Sequence, residues 1–192
     1  MQSHMMTPPT KHDPANIFTV AEQFRSADKM LNLMLRQELT YEGHPVPFDV
    51  SIPMVTCAAF ALELYLKCLI SMETGDRPPN THDYVRLFGL LHNDSKTAIR
   101  NYFDKNSGDT VTVIKRAFEQ SGRPAPTVDF DYVLSVSRRA FPIARYLYEG
   151  VPAEQGWVAE TIMEGARRTI LKRFPHWEKA RLVSPLVVRT GP

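Results

Sequence analysis

Between Ile52 and Met72 the chain carries only two charges, Glu63 and Lys67. Four residues apart on a helix they share a face and reach one another. A charge on an otherwise apolar helix is costly unless it is paired, so these two call for partners from elsewhere in the chain. His82 and Arg145 are the best candidates, with Asp83 and Glu149 beside them in sequence. The set Glu63, Lys67, His82, Asp83, Arg145 and Glu149 admits two readings. The favoured one is an ion-pair network that staples a loop to two helices; the sharper one is a pocket for a nucleotide or a phosphate. A second basic set, Arg167, Arg168, Lys172 and Arg173, offers phosphate contacts through charge alone. Glu160, Glu164 and Glu178 share that segment, and basic residues late in a helix also favour its dipole, so a solvated face is the favoured reading there.

Other chemistries find little footing. No Gly-rich phosphate loop follows a strand and no Cys/His cluster has zinc spacing, so neither a metal nor any other cofactor is expected. Cys57 and Cys68 lie eleven apart on one helix. That separation is about 16 Å at 1.5 Å per residue, beyond the roughly 7 Å a disulfide allows. Both read as small buried hydrophobes in a reducing compartment. With 23 basic and 21 acidic residues the net charge is +2, and the whole molecule does not advertise nucleic-acid or membrane-surface binding.

The elements that must position these residues are helical. A chain of 192 residues with 43% hydrophobic content suits one domain with an ample core. Residues 1–14 read as a mobile tail opening on an expression remnant, 15–180 as a single helical bundle and 181–192 as a C-terminal tail. Ile17, Val20, Ala21, Phe24, Ala27, Leu31, Met34 and Leu35 recur at helical spacing. Glu22, Arg25, Asp28, Lys29 and Arg36 are then expected on the opposite, polar side. The Ile52–Met72 run begins with Ser51 as cap and Pro53 in the first turn, and Gly75 is placed to end it. It has the length of a membrane span, but Pro53, Glu63 and Lys67 argue for a buried core helix and no membrane. Asp83 or Thr81 caps the next helix, about 84–105, which the Asn93-Asp94-Ser95 cluster divides. Further helices are expected over 110–120, from Asp129 through Leu147 with a kink near Pro142, and over about 157–174. The fold class is an all-α bundle of about five to six helices.

Leu62-Glu63-Leu64-Tyr65-Leu66-Lys67, a Gly-containing loop, then His82-Asp83-Tyr84 with Leu87-Phe88, resembles the signature of HEPN (higher eukaryotes and prokaryotes nucleotide-binding) helical domains. Phe141 to Glu149, with Arg145-Tyr146-Leu147-Tyr148-Glu149, is similar to a later helix of some subgroups. Many HEPN proteins are metal-independent ribonucleases that use an Arg followed four to six residues later by a His, paired across a dimer. Arg77 with His82 and Arg86 with His92 are formal matches. Chance supplies about one or two such pairs in a chain of this composition, and Arg86 and His92 lie about 120° apart around a helix. The resemblance therefore implies a cytoplasmic, homodimeric, non-catalytic module, associated with nucleic acid or a partner protein in a bacterial toxin–antitoxin or defence-type system. A nucleotidyltransferase-like protein is the partner it implies, and RNA or a nucleotide the ligand. The alternatives are a metal-independent endoribonuclease toxin and a small-ligand-binding helical protein.

Overall fold

The apolar run becomes the axis of the molecule. The computed structural model describes residues 13–35, 40–41, 44–45, 50–145 and 159–180, and it is an all-α bundle around helix α2 (Ser51–Thr74). Leu62, Tyr65, Leu66, Cys68 and Leu69 of α2 are fully enclosed, because its apolar residues face every direction and each direction must be covered. Helix α1 (Pro14–Leu35) lies along one side of it, and α7 (Ala140–Arg145) and α8 (Glu160–Arg173) cover others. Helix α3 (Tyr84–Gly89) lies against α2, with Tyr84 reaching Ala59 in the first half of that helix, and packs on α6 (Phe130–Val136), while α4 (Asn93–Asn106) packs on α8. Gly165 permits that last contact, since a Cβ there would sit 3.3 Å from the Tyr102 ring. Helix α5 (Gly108–Gln120) is peripheral, and α9 (Trp177–Ala180) follows Pro175. A minimal antiparallel hairpin, β1 (Thr40–Tyr41) with β2 (His44–Pro45), interrupts the connection into α2. By length and composition α2 is also the one described helix able to cross a membrane. Most of its apolar window, 61%, is buried inside the protein, which is the position of a core helix.

Among the described residues there are nine helices where about five to six were expected, because two long segments divide, the first of them next to the expected Asn93-Asp94-Ser95 cluster, and because α9 follows α8. Residues 84–105 split at Leu90–His92, where His92 turns extended (φ −64°, ψ 154°) and starts α4 from its N-cap position. The segment from Asp129 divides at residues 137–139 instead of kinking. Pro142 thereby falls in the first turn of α7, where no intrahelical hydrogen bond is available for it to remove. Local stop and start signals otherwise act as expected. Gly75 takes the left-handed conformation (φ 72°) and returns its N–H to the Ser71 carbonyl. Asp83 accepts from the Arg86 N–H and Asp129 from the Tyr132 N–H. Ser51 is not a cap: it is the first helical residue, and Val50 holds the cap position with no side-chain bond.

The largest departure from the amphipathic pattern is on α1. Glu22, Arg25 and Asp28, expected in water, are buried, whereas Val20, Met30, Leu33 and Leu35 are exposed. Phe18, Ala21, Glu22, Arg25 and Asp28 form one stripe at three- and four-residue spacing, and this stripe faces the interior. Glu22 is stable there because Arg167 of α8 reaches it through Nε (2.7 Å) and Nη2 (3.3 Å), and the buried Tyr65 hydroxyl donates to it. Arg25 donates to Glu164 (2.7 Å), and Arg167 also touches Glu178 of α9 (3.3 Å). Burial works against the Glu22 charge, but the hydrogen bonds from Arg167 and Tyr65 and the nearby arginines outweigh it and hold its pKa below the ordinary value. Burial and the Glu22 charge push the Tyr65 phenol far upward, so it remains a donor.

This network ties α1, α2, α8 and α9 together, and Arg167 is its centre. Replacing Arg167 by Met strands Glu22 in the interior and should cost about 3–5 kcal/mol in urea unfolding, with the double variant Glu22→Leu/Arg167→Met losing markedly less. Asp28 behaves in the opposite sense to Glu22. Burial and then the Glu160 charge raise its pKa from 3.8 to about 6, against Arg25 and Lys29. The folded state therefore binds this proton more tightly than the unfolded state, and the cost of ionising Asp28 is complete only above about pH 6. Asp28→Asn should accordingly be more stable than the wild type by about 1–2 kcal/mol near pH 7.5, with the gain shrinking towards about pH 4, as read by urea melts across that range.

Candidate functional site

The second half of α2, the loop after Gly75 and the start of α7 meet at Glu63. Its carboxylate is almost wholly buried, with 1% side-chain exposure, and both of its oxygens are engaged. Lys67 Nζ donates to Oε1 at 2.7 Å, and His82 Nδ1 lies 2.8 Å from Oε2. A carboxylate that accepts from an ammonium offers only lone pairs, so His82 Nδ1 is the donor to Oε2. The His82 ring rests against Phe141 (5.3 Å between centroids), which stacks on Phe60 (4.6 Å), and Phe60 meets Phe24 edge-on. Tyr84 closes the inner side by donating to the Ala59 carbonyl (2.7 Å). Burial and then the Glu63 charge push its phenol upward, so it too stays protonated.

Lys67 is the link from this buried carboxylate to the surface. Together with Arg77 and Asn80 it lines a pocket of about 200 Å³, whose apolar walls are Ile17, Leu64, Pro78 and Pro79. Arg77 is exposed and has no carboxylate partner among the described residues. The pocket thus presents two cations and an amide over apolar walls, an arrangement that suits an anionic group. Pro78-Pro79 holds the rim, because each ring fixes its own φ and the first residue before a proline is confined to extended conformations.

The other candidates separate from this site. Asp83 does not join Glu63: it caps α3 and pairs with Arg138 (2.6 Å). Partial burial opposes its charge, but Arg138 and the α3 N–H groups hold its pKa below the ordinary value. Arg145 ends α7, with its side chain outside the described residues, and Glu149 lies outside them altogether. Arg86 is on α3, whereas His92 starts α4 and gives its backbone N–H to Glu73 (2.7 Å), so the helix break places the two on different elements. The basic set of α8 does not converge on a surface. Arg167 points inward to Glu22, Arg173 is tied to Glu73 (3.1 Å) and Ser95 (2.6 Å), and Arg168 folds back on Glu164 (3.2 Å), leaving Lys172 exposed. Cys68 is buried and its thiol is pushed up to about 12 by desolvation and the Asp13 charge. Cys57 is only half-buried, where a fully enclosed residue was expected, and burial with the Asp28 charge also raises its pKa. Neither thiol is primed as a nucleophile. Among the described residues no group of three His, Cys, Asp or Glu side chains is arranged to hold a metal.

Sequence reasoning identified Glu63, Lys67 and His82 but not the pocket walls. Ile17 and Leu64 read as ordinary core positions, and Pro78-Pro79-Asn80 as a connecting loop. The buried Glu22–Arg167 pair was missed as well, although the 18-21-22-25-28 stripe carried its signal. No family model matches this chain, no curated protein is significantly similar to it, and no solved structure matches its fold.

The shared carboxylate makes the stability of this site testable. Glu63→Leu leaves Lys67 without its buried partner and should cost about 3–5 kcal/mol. Lys67→Met leaves Glu63 with His82 alone and should cost about 1.5–3 kcal/mol. The double variant should fall well short of the sum in urea unfolding, because the two side chains act as one unit.

Proposed function

We propose that the chain is a cytoplasmic, HEPN-like helical module that binds the phosphate groups of single-stranded RNA, or of a nucleotide, without cutting it. The observation that carries this reading is the pocket in which Lys67 and Arg77 converge over apolar walls. The buried Glu63 anchors one cation, and Arg77 has no competing carboxylate among the described residues. Association with a partner protein of a toxin–antitoxin or defence-type system belongs to the same reading. So does a homodimer, for which the exposed Met30 and Leu33 of α1 provide apolar surface. Fluorescence anisotropy with a short oligouridylate tests the central part. Binding should weaken as salt rises, and Arg77→Gln should lower affinity and reduce the log–log salt slope by about 0.7, one single-strand phosphate contact. Salt-independent binding, or an Arg77→Gln variant indistinguishable from the wild type, overturns the reading.

A metal-independent endoribonuclease is the second reading, favoured by one feature. Glu63 orients the His82 ring through Nδ1, and the side chain is 45% exposed, so Nε2 is a candidate general base close to Arg77 in sequence. Cleavage of the same RNA in EDTA that is abolished by His82→Ala would establish this reading over the binding module.

A further inference from the structure

The two cations of the pocket are not equal. Arg77 contributes a full charge, whereas the charge of Lys67 is cancelled at close range by Glu63. Glu63 in turn is shared, one oxygen to Lys67 and the other to His82, 2.7 and 2.8 Å away. With His82 neutral, the Glu63–Lys67–His82 group has no net charge. With His82 protonated it carries one positive charge, and the carboxylate is drawn towards two cations instead of one. We infer that His82 acts as the charge regulator of the neighbouring pocket: protonating it frees the field of Lys67 for an anionic ligand and strengthens phosphate binding.

The surroundings of His82 allow this. From α2 it faces Glu63, with Lys67 beyond. From α7 it meets the uncharged Phe141 ring. On α3, Tyr84 is a protonated phenol under the Glu63 charge, and Asp83 is turned away to Arg138 and the helix N-terminus. The half-exposed ring exchanges protons with solvent directly. Glu63 cannot escape the competition, because it is buried and both its oxygens are already committed. The device belongs to the site in the proposed reading and rests on that reading, but it concerns how the affinity is set and not what binds.

The test uses an oligouridylate without terminal phosphates. Its phosphodiesters keep one charge each, whereas a phosphomonoester gains charge near pH 6 and would mimic the effect. Affinity of the full chain should rise on the order of threefold from about pH 8 to about pH 6, the size expected for one added charge several ångström away in a largely aqueous setting. His82→Gln, which can still donate to Glu63 but cannot titrate, should be flat over the same range at the weaker, high-pH affinity. His82→Lys should be flat at the stronger one. Histidine ¹⁵N spectra of the wild type should show Nδ1 protonated at the upper pH, and thermal melts check that both variants fold. Wild-type binding that is Arg77-dependent yet does not change with pH, or a His82→Gln variant that keeps the wild-type slope, overturns the inference while leaving the binding module intact. An absence of binding at both pH values removes the module and the regulator together. A His82 ring carrying its proton on Nε2 at the upper pH overturns the regulator independently of any ligand.

Discussion

Glu22 on α1 and Glu63 on α2 are both carboxylates taken out of water on the two helices that pack most extensively against each other. The fold brings each of them two donors: Arg167 and Tyr65 for Glu22, Lys67 and His82 for Glu63. Isolated burial of either would cost far more than a domain's net stability allows. The arrangement of α8 against α1, and of the loop at residues 75–83 against α2, therefore follows from the need to satisfy these groups. Apolar packing supplies the attraction, but it has no direction. The carboxylates supply the register, since a shift of one helical residue would separate donor from acceptor by several ångström.

The two sites differ in what they can do beyond holding the bundle together. Arg167 is buried and its guanidinium is consumed by Glu22, Glu164 and Glu178. It has no remaining access to a ligand and works as a staple. The Glu63 group is half open: one donor lies at a pocket, the other is half-exposed, and the carboxylate joins them. A buried group with two solvent-accessible partners transmits charge between them, and so this site rather than the larger network is the functional candidate.

Particular residues show how much of the fold was legible. The punctuation was: Gly75 ends α2 because only a residue without a Cβ takes φ 72° at little cost, and Asp83 and Asp129 cap because their side chains replace missing intrahelical acceptors. The continuity of helices was less so. Pro142 looked like a kink because its effect depends on how many helical residues precede it, and the break at 137–139 leaves it in a first turn. Polarity alone places Glu22, Arg25 and Asp28 in water, whereas their spacing with Phe18 and Ala21 puts them on a single face.

By itself the sequence determined the all-α class, the interior position of α2, the signals that end α2 and open α3 and α6, and the need of Glu63 and Lys67 for partners. These depend on local chemistry and on the rule that an apolar helix has no side on which to leave a charge unpaired. Only the tertiary structure decided that Arg167 turns inward, that Asp83 leaves Glu63 for Arg138, and that Ile17 of α1 meets Pro78 and Pro79 across a pocket. Each of these joins residues far apart in the chain, where several partners of the right charge or polarity compete. Sequence spacing ranks partners within a helix, and three-dimensional proximity alone selects among those on different ones.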